Sequence, residues 1–570
     1  MRGRRAPFVG RSSATIYSPY GGGQKDFKPR EENFFLEVFG MKYSLQKTTL
    51  LALCAASLAA FSASGGTVQA APAACAAAPA AQALPDALER AARRFGVDPA
   101  HVVVSVVPLD APAAPVLAWR DAVPGSPASA AKLVTTLAGL EVLGAHWRWR
   151  TDFYSRVKPD ARGLLKGALH IRGSGDPAFV VEAFELELER LAQLGVKRIE
   201  GDVVLDRSVF TLPAADPGAF DGRATRPYNL PPDPVLVNYR NLSFEMVPDP
   251  QAGVARVVAV PKLAGVVYPK TLRLGRGPCG DWKSAIGFRF LELKGGGRKA
   301  VFTGSLPAAC GPKTFNTIAM GADEYFERLF RAYWERDGRT WRGRVKTGPV
   351  PADAERLASH FSRTLAETTA LTNKWSNNTM ARTILLTLGV KRVRDAWEEA
   401  REGKTPPPEK PAAKAAEKSG QKARKWSLEF PPAATIDDGR AALADWLASR
   451  GLPVKELRID NGSGLSRDAR VTGRAMTKLL VAGWQGPYMP EFLASLPITG
   501  RDGTMARRKV AEERGRIKTG YLADVRSIGG YVQATSGRRY AVYAAVEGEK
   551  SVPGGIAFLN ALIDWVYALE

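Results

Sequence analysis

The chain has 570 residues, of which 45% are apolar and 24% are charged, and its formal net charge is +23 at neutral pH. This length predicts two or more domains with a sizeable core, and this composition excludes a chain that is disordered throughout. The 55 glycines and 40 prolines exceed what helical bundles usually carry, so the sequence also disfavours an all-helical fold.

The positive charge does not by itself indicate a nucleic-acid binder. The sequence contains no zinc-finger spacing of Cys and His and no aromatic RNA-binding signature. We therefore expect no nucleic-acid partner. We interpret the basic excess as a solvated surface, one that could meet an anionic polymer.

Residues 41–70 resemble a secretory signal peptide. Two lysines lie near its start, residues 48–61 form an apolar stretch, and Ala70 is a small residue of the kind that signal peptidase favours. A transmembrane helix would need about 20 apolar residues, more than this interrupted stretch supplies. We therefore expect translation to start at Met41, residues 1–40 to be a mis-assigned upstream extension, and the mature protein to be periplasmic.

Four cysteines occur in the chain, and Cys279 and Cys310 are the pair in the body of the protein. The other two lie in the signal-like segment and in the Ala/Pro-rich spacer at 71–83. In an oxidising compartment we expect Cys279 and Cys310 to form a disulfide, worth roughly 3 to 4 kcal/mol in the chain-entropy account. Two free buried thiols are the alternative.

Histidine is scarce, with four in the whole chain, and the sequence has neither a His-Glu-x-x-His motif nor a Cys/His cluster. These observations disfavour a zinc enzyme and a Ser-His-Asp hydrolase, and we expect neither a metal nor another cofactor. A lysine can serve as the base instead when burial and neighbouring positive charge lower its pKa, because a neutral amine can accept a proton from a serine hydroxyl.

A serine and a lysine with this spacing lie at the start of a predicted helix. Ser129 and Lys132 are one turn apart, Pro127 favours a helix start, and Gly144 is suited to end the helix. The helix is predicted from apolar residues at helical spacing, namely Leu133, Leu137 and Leu140. Ser129 would then lie in the first turn, where unpaired backbone N–H groups can stabilise an oxyanion.

Two further short motifs follow. Ser376-Asn377-Asn378 precedes a second predicted helix, and Lys518-Thr519-Gly520 precedes Gly529 in a predicted hairpin. A second Lys-Thr-Gly at 346–348 is interpreted as a decoy, because it precedes Ser376 and Pro349 would disturb strand pairing.

Ser-x-x-Lys, Ser-x-Asn and Lys-Thr-Gly in this order resemble the signature of penicillin-binding proteins and serine β-lactamases. More narrowly, the chain resembles the D-alanyl-D-alanine carboxypeptidase/endopeptidase family of penicillin-binding protein 4 type, the class C low-molecular-mass, S13 peptidases. The supporting stretches are PASAAKL (127–133), GSGDPAF (173–179), IEGDVVLDRSVF (199–210), DNGSGLSR (460–467), LPITGRDGTM (496–505) and IKTG (517–520).

The resemblance implies an α/β (α+β) fold, a penicillin-binding core split by inserted β-rich domains. We expect the first core segment at 84–155, inserted accessory domains at 156–350 and the second core segment at 351–570. The Pro/Lys/Ala-rich segment 401–425 is expected to be a disordered basic insertion, or alternatively an arm that binds anionic wall polymer. The C-terminal segment 557–570 is expected to be a core helix rather than a membrane-surface helix, since it has no Lys or Arg.

The resemblance also implies roles. Ser129 would be the nucleophile, Lys132 the general base and Ser376 a proton relay. The substrate would be held by the residues Asn378, Lys518, Thr519 and Gly520, and the backbone N–H groups of Ser129 and Tyr521 would bind the oxyanion. Two departures stand out: Asn377 replaces the more frequent Asp, and Tyr521 replaces a small Ser or Thr.

The implied partners are peptidoglycan peptides and, as acylating inhibitors, β-lactams, with no stable membrane insertion; the oligomeric state is left open. The implied activity is cleavage of D-Ala-D-Ala termini and of cross-links through an acyl-enzyme. A serine β-lactamase-like hydrolase and an inactive peptidoglycan-binding scaffold are the alternatives.

Overall fold

One five-stranded sheet is formed from strands at the two ends of the described chain. A computed structural model describes residues 83–213, 216–318, 320–405 and 431–570. The sheet is antiparallel throughout, and its order is β2 (Leu117–Trp119), β1 (Val102–Pro108), β23 (Arg539–Glu547), β22 (Val525–Gln533) and β21 (Gly515–Leu522). The predicted signal peptide, the spacer up to residue 82 and residues 406–425 of the predicted insertion lie outside the described residues.

The central strands of this sheet are buried on both faces. In β23, Val542 and Ala544 belong to one apolar cluster, and Ala541 and Tyr543 belong to another. Because successive side chains point to opposite faces, a strand between two helical layers is apolar along its whole length. The sheet is therefore the middle layer of a three-layer body.

Helices cover the two faces. The first face is covered by α1 (Asp86–Phe95) and α10 (Val552–Tyr567). The second face is covered by α2 (Ala131–Leu143) and α8 (Gly473–Gln485), with α5 (Leu365–Lys374), α6 (Asn378–Arg401), α7 (Ile436–Ser449) and α9 (Met489–Ser495) in the same layer. A short ladder joins β19 (Leu457–Arg458) and β20 (Arg470–Val471).

The C-terminal helix α10 has a buried apolar face formed by Phe558, Leu559, Leu562 and Ile563. The prediction of a core helix is confirmed. Within the described ranges, no helix is both long enough and apolar enough to cross a bilayer.

A second sheet has both parallel and antiparallel strand pairs and contains strands from the predicted insertion and from its two borders. Its order is β17 (Val345–Thr347), β7 (Val203–Asp206), β5 (Leu169–Gly173), β3 (Arg150–Ser155) and β18 (Glu355–Phe361). Beside it lie β16 (Thr340–Arg342), β6 (Arg198–Glu200) and β4 (Leu164–Leu165), with helices α3 (Val181–Gln193) and α4 (Ala322–Trp334). Because β3 and β18 pair, the chain enters and leaves this body side by side.

Two further sheets complete the inserted body. The first has the order β14 (Leu306–Pro307), β11 (Thr271–Gly275), β9 (Val254–Val260), β8 (Leu242–Asp249) and β15 (Lys313–Thr317), and the second has the order β10 (Val266–Val267), β13 (Arg298–Gly304) and β12 (Ile286–Glu292). Their shared core contains the aromatic residues Phe244, Phe288, Phe302 and Phe315. Cys279 and Cys310 are joined in this body. The domain boundaries given above remain predictions.

Candidate active site

Ser129 and Lys132 face each other at the start of α2. A 3-10 turn at Ala128–Ala130 leads directly into the helix, which ends at Gly144. The distance from Lys132 Nζ to Ser129 Oγ is 2.8 Å. The predicted apolar stripe of α2 is buried against the sheet and against the other helices of the same layer. This packing fixes the positions of the Ser129 and Lys132 side chains.

The Lys132 amine is surrounded by neutral polar groups. Its Nζ lies 2.7 Å from Asn378 Oδ1 and 2.6 Å from the Ser463 carbonyl oxygen, and the side chain is fully buried. Burial, and then the positive charges of Lys518 and Arg382, lower the pKa of Lys132 well below its usual range. The described residues offer Lys132 no carboxylate partner that would restore the charged form.

The loop at 461–464 forms the floor beneath Lys132. The Ser463 N–H and hydroxyl donate to Asn461 Oδ1, which fixes the loop so that the Ser463 carbonyl faces the lysine. Gly464 has a φ of 76°, and a Cβ there would lie 1.8 Å from the Ala128 oxygen. Only glycine allows this close approach. The sequence stretch DNGSGLSR (460–467) thus supports the turn that holds Ser129.

Ser376 lies between α5 and α6, and Asn378 is the first residue of α6. Ser376 has a φ of 57°, which is uncommon for a residue other than glycine. Asn377 caps α6 by accepting a hydrogen bond from the Met380 N–H at 3.0 Å. A capping role explains why Asn can replace Asp at this middle position. Asn378 Nδ2 donates to the Tyr228 carbonyl. This amide therefore connects the three-layer body, which holds the three motifs and is called the catalytic body below, to the inserted body.

Lys518 lies on β21, the edge strand of the five-stranded antiparallel sheet. Its Nζ lies 3.0 Å from Ser376 Oγ and 2.6 Å from the Thr519 carbonyl oxygen. Burial lowers the pKa of Lys518 to about 7. Thr519 Oγ1 donates to Thr504 Oγ1 at 2.7 Å.

Two glycines let the hairpin approach the turn that holds Ser129 and the start of α2. Lys518 pairs with Gly529, as the predicted hairpin requires. A Cβ at Gly529 would lie 2.7 Å from Leu133 Cδ1, and a Cβ at Gly520 would lie 2.1 Å from Ser527 Oγ and 2.8 Å from the Pro127 oxygen. Side chains at these two positions would push the strand away from α2.

The three motifs therefore meet in one cluster of side chains. Comparisons with known proteins show to which family the chain belongs. The sequence pattern of the D-Ala-D-Ala carboxypeptidase 3 (S13) family matches residues 92–404 and 424–557. The chain belongs to this family. The predicted family is confirmed, and with it the prediction of an enzyme.

Relatives of this S13 peptidase cover most of its length. The D-alanyl-D-alanine carboxypeptidase of Actinomadura sp. (strain R39) is 27% identical over 468 residues, 76% of each chain. The D-alanyl-D-alanine carboxypeptidase DacB of Haemophilus influenzae is 22% identical over 431 residues, 74% of this chain and 80% of that one. The crystal structure of penicillin binding protein 4 from H. influenzae has a TM-score of 0.62 at 18% identity, covering 85% of this chain and 99% of that one. The predicted split penicillin-binding fold is confirmed.

Two exposed aromatic side chains border the S13 site. Trp375, directly before Ser376, is 67% exposed, and Tyr521, directly after Gly520, is 64% exposed. Among the described large apolar side chains these two are the most exposed. The Arg526 guanidinium lies 3.5 Å from the centroid of the Tyr521 ring and holds it by a cation–π contact. The sequence interpretation singled out Tyr521 but missed Trp375. Its position directly before Ser376 was the one sign in the sequence that could have identified it.

Other contributors to the site were also missed by sequence reasoning. The Ser463 and Tyr228 carbonyl oxygens carry no signal in a side-chain motif, and Arg382 acts on Lys132 only through its charge. Across the described ranges, no cluster of three or more His, Cys, Asp or Glu side chains is arranged to hold a metal ion.

Proposed function

We propose that this S13 peptidase is a serine-type D-alanyl-D-alanine carboxypeptidase and DD-endopeptidase that acts on peptidoglycan stem peptides and cross-links and is acylated by β-lactams. The observation that carries the proposal is a pair of polar contact networks, one from Ser129 through Lys132 to Asn378 and one from Lys518 to Ser376. Family membership supports the substrate class.

Acylation would begin at Ser129. Its Oγ attacks the carbonyl carbon of the penultimate D-alanine, and Lys132 Nζ, neutral because of burial and neighbouring cations, accepts the hydroxyl proton. The carbonyl oxygen takes up negative charge and would be bound by the backbone N–H groups of Ser129 and Tyr521. The turn position of Ser129 and the edge position of β21 support this oxyanion assignment.

The tetrahedral intermediate then collapses and the C–N bond of the terminal peptide breaks. Ser376 Oγ would relay a proton to the departing amine, with Lys518, 3.0 Å away, as its neighbour in the relay. The released group is free D-alanine for a terminal dipeptide or an amino-bearing stem peptide for a cross-link. Water then attacks the serine ester, giving a carboxylate and free Ser129.

Substrate would be held along β21. Lys518 and Thr519 would bind the terminal carboxylate, because a buried cation next to a hydroxyl on an edge strand matches that group. Asn378 would hold the substrate amide, and Gly520 would let the peptide backbone approach the strand. No cofactor enters any of these steps.

The enzyme would work in the periplasm after export through the signal peptide at 41–70. An oxidising compartment fits the bonded Cys279–Cys310 pair in the inserted body.

The test is purified protein incubated with a D-Ala-D-Ala pentapeptide and, separately, with cross-linked muropeptide dimers. Free D-alanine from the first and monomers from the second are the expected products, and both should vanish in Ser129→Ala. Intact-mass measurement after benzylpenicillin should give a stable adduct. Rapid hydrolysis of the drug without release of D-alanine would indicate a β-lactamase-like enzyme instead, and the absence of any adduct or product would indicate an inactive scaffold.

A further inference from the structure

A polar cavity of about 530 Å³ lies between the inserted body and a turn of the catalytic body. The inserted body supplies the disulfide segment with Cys279, Trp282 and Lys283, and the start of β15 with Lys313. The catalytic body supplies Arg507. None of the catalytic motif residues lines this cavity.

The cavity carries an excess of positive charge that the protein leaves uncompensated. Lys283 and Arg507 are exposed and Lys313 is half-buried, and in the described ranges of the chain none of the three forms an ion pair. The acidic side chain that lines the cavity is Glu245. Trp282 is half-buried and presents its ring beside Lys283 Nζ, 5.6 Å from the ring centroid. Cations around an aromatic ring suit a ligand that is both anionic and partly apolar.

The first link between the cavity and the catalytic cleft runs through the catalytic body. Arg507 follows closely after Thr504, which accepts the hydrogen bond from Thr519 of the Lys-Thr-Gly strand. A polymer bound along β21 would therefore pass near Arg507.

The second link runs through the inserted body. The Ser284 hydroxyl hydrogen-bonds Asp281, next to Trp282, and lowers the pKa of that carboxyl, with smaller contributions from Arg226 and Arg223. Arg226 in turn lies two residues before Tyr228, whose carbonyl accepts the bond from Asn378. Both links connect the lining of the cavity to residues that contact the catalytic motifs.

We propose that this cavity is a second binding site for peptidoglycan, one that takes a carboxylate-bearing stem peptide together with a sugar ring of the same polymer. The carboxylates would pair with Lys313, Arg507 and Lys283, and the apolar face of the sugar would pack on Trp282. The inference rests on the proposed function for the identity of the polymer. Its consequence is that the enzyme holds wall strands through contacts that a free pentapeptide does not use.

The experiment measures binding and turnover separately. Binding of soluble, un-cross-linked peptidoglycan strands is measured in the Ser129→Ala background, with and without Lys313→Glu/Arg507→Glu. Charge reversal at two contacts should weaken binding by about tenfold or more. In the otherwise wild-type enzyme, the same pair should leave kcat/KM for the free pentapeptide within about twofold, since no catalytic motif residue lines the cavity.

A matched control reverses the same number of charges outside the cavity, on the inserted body. Lys270→Glu/Arg289→Glu lies at exposed positions that do not line the cavity and should leave strand binding unchanged. Strands stripped of their stem peptides should bind the parent protein much more weakly than intact strands.

Several results would overturn the inference. One is that Lys313→Glu/Arg507→Glu binds strands as tightly as the parent protein, and another is that the control pair loses as much binding. The parent protein binding peptide-free strands, or a single-stranded oligonucleotide, as tightly as intact strands would also overturn it. A wild-type enzyme that releases no D-alanine from the pentapeptide would instead contradict the proposed function, so the two failures are distinguishable.

Discussion

The chain contains the tripeptide Lys-Thr-Gly twice, and its two copies have opposite surroundings. Lys346 lies on β17 of the inserted body, where its side chain is 65% exposed and pairs with Asp202 at 2.6 Å. Lys518 lies on β21 of the catalytic body, where it is fully buried and contacts Ser376 rather than a carboxylate. Both are edge strands, so strand position does not distinguish them.

The two bodies differ in whether carboxylates lie next to these basic side chains. In the inserted body, the half-buried cation His360 contacts two carboxylates, Asp176 and Glu187. In the catalytic site, Lys132 and Lys518 are buried together among neutral groups, and the pKa of each is lowered. Paired cations stabilise structure, whereas unpaired buried amines are available for proton transfer and for binding an incoming carboxylate.

The largest expected effect is a loss of activity when Lys518 is replaced but not when Lys346 is replaced. Lys518→Ala should lower kcat/KM for D-alanine release by about 10³-fold or more, equal to about 4 kcal/mol. Lys346→Ala removes only an exposed ion pair and should change kcat/KM by less than about twofold. Steady-state kinetics on the pentapeptide measure both. Comparable losses in the two variants would show that the motif, and not its surroundings, confers the role.

A second difference concerns the pH dependence of stability. Although burial alone would lower it, the ion-pair contact with Asp176 and the hydrogen bond to Glu187 raise the pKa of His360 to about 9, above its ordinary 6.5. A raised folded-state pKa gives stability that is complete below pH 6.5 and is lost as pH rises through 9. His360→Gln should therefore be less stable at pH 6, by roughly 2 to 4 °C in Tm, and its Tm should fall less than that of the wild type between pH 6.5 and 9. Thermal unfolding at several pH values checks this, and parallel Tm profiles would contradict it.

Lys518 should show the opposite sign. Its folded-state pKa of about 7 lies below the ordinary value of 10.5, so the unfolded chain binds more protons and the wild type gains stability as pH rises from 7 to 10.5. Lys518→Met removes the buried amine and should raise Tm at pH 7 by roughly 1 to 3 °C while abolishing activity. This advantage should shrink toward pH 10. A variant that is less stable than the wild type at pH 7 would show that Lys518 supports the fold.

The smallest effect is expected at the rim of the site. A cation–π contact at an exposed ring is worth about 0.5 to 1 kcal/mol, and the contact with Arg526 fixes Tyr521 at the end of β21. Tyr521→Ala should therefore lower kcat/KM about two- to fivefold, whereas Tyr521→Phe, which keeps the ring, should match the wild type. An increase in Tyr521→Ala would mean that the ring obstructs substrate.

Sequence reasoning was most successful where the contacts are local. The spacing of Leu133, Leu137 and Leu140 predicted α2, and the paired glycines predicted the hairpin that carries Lys518. The three motifs predicted which side chains meet, because their types and order are specific.

The missed features depend on residues far apart in the chain. The Ser463 carbonyl lies against Lys132 because Gly464 admits the Ala128 oxygen, and no local pattern encodes that approach. Ser376 likewise has a positive φ between α5 and α6, and no local pattern encodes that conformation. In the inserted body, strands of two or three residues such as β4 and β6 are too short to give a periodic signal.

The most direct test of the account is the pH dependence of acylation by benzylpenicillin, followed by intact mass and peptide mapping in the wild type and in Ser129→Ala. We expect one adduct on Ser129, none in the variant, and an acylation rate that falls on acidification with an apparent pKa well below 10.5. An adduct that persists in Ser129→Ala, or a rate that falls with the ordinary pKa of a lysine, would contradict a nucleophile activated by a neutral Lys132.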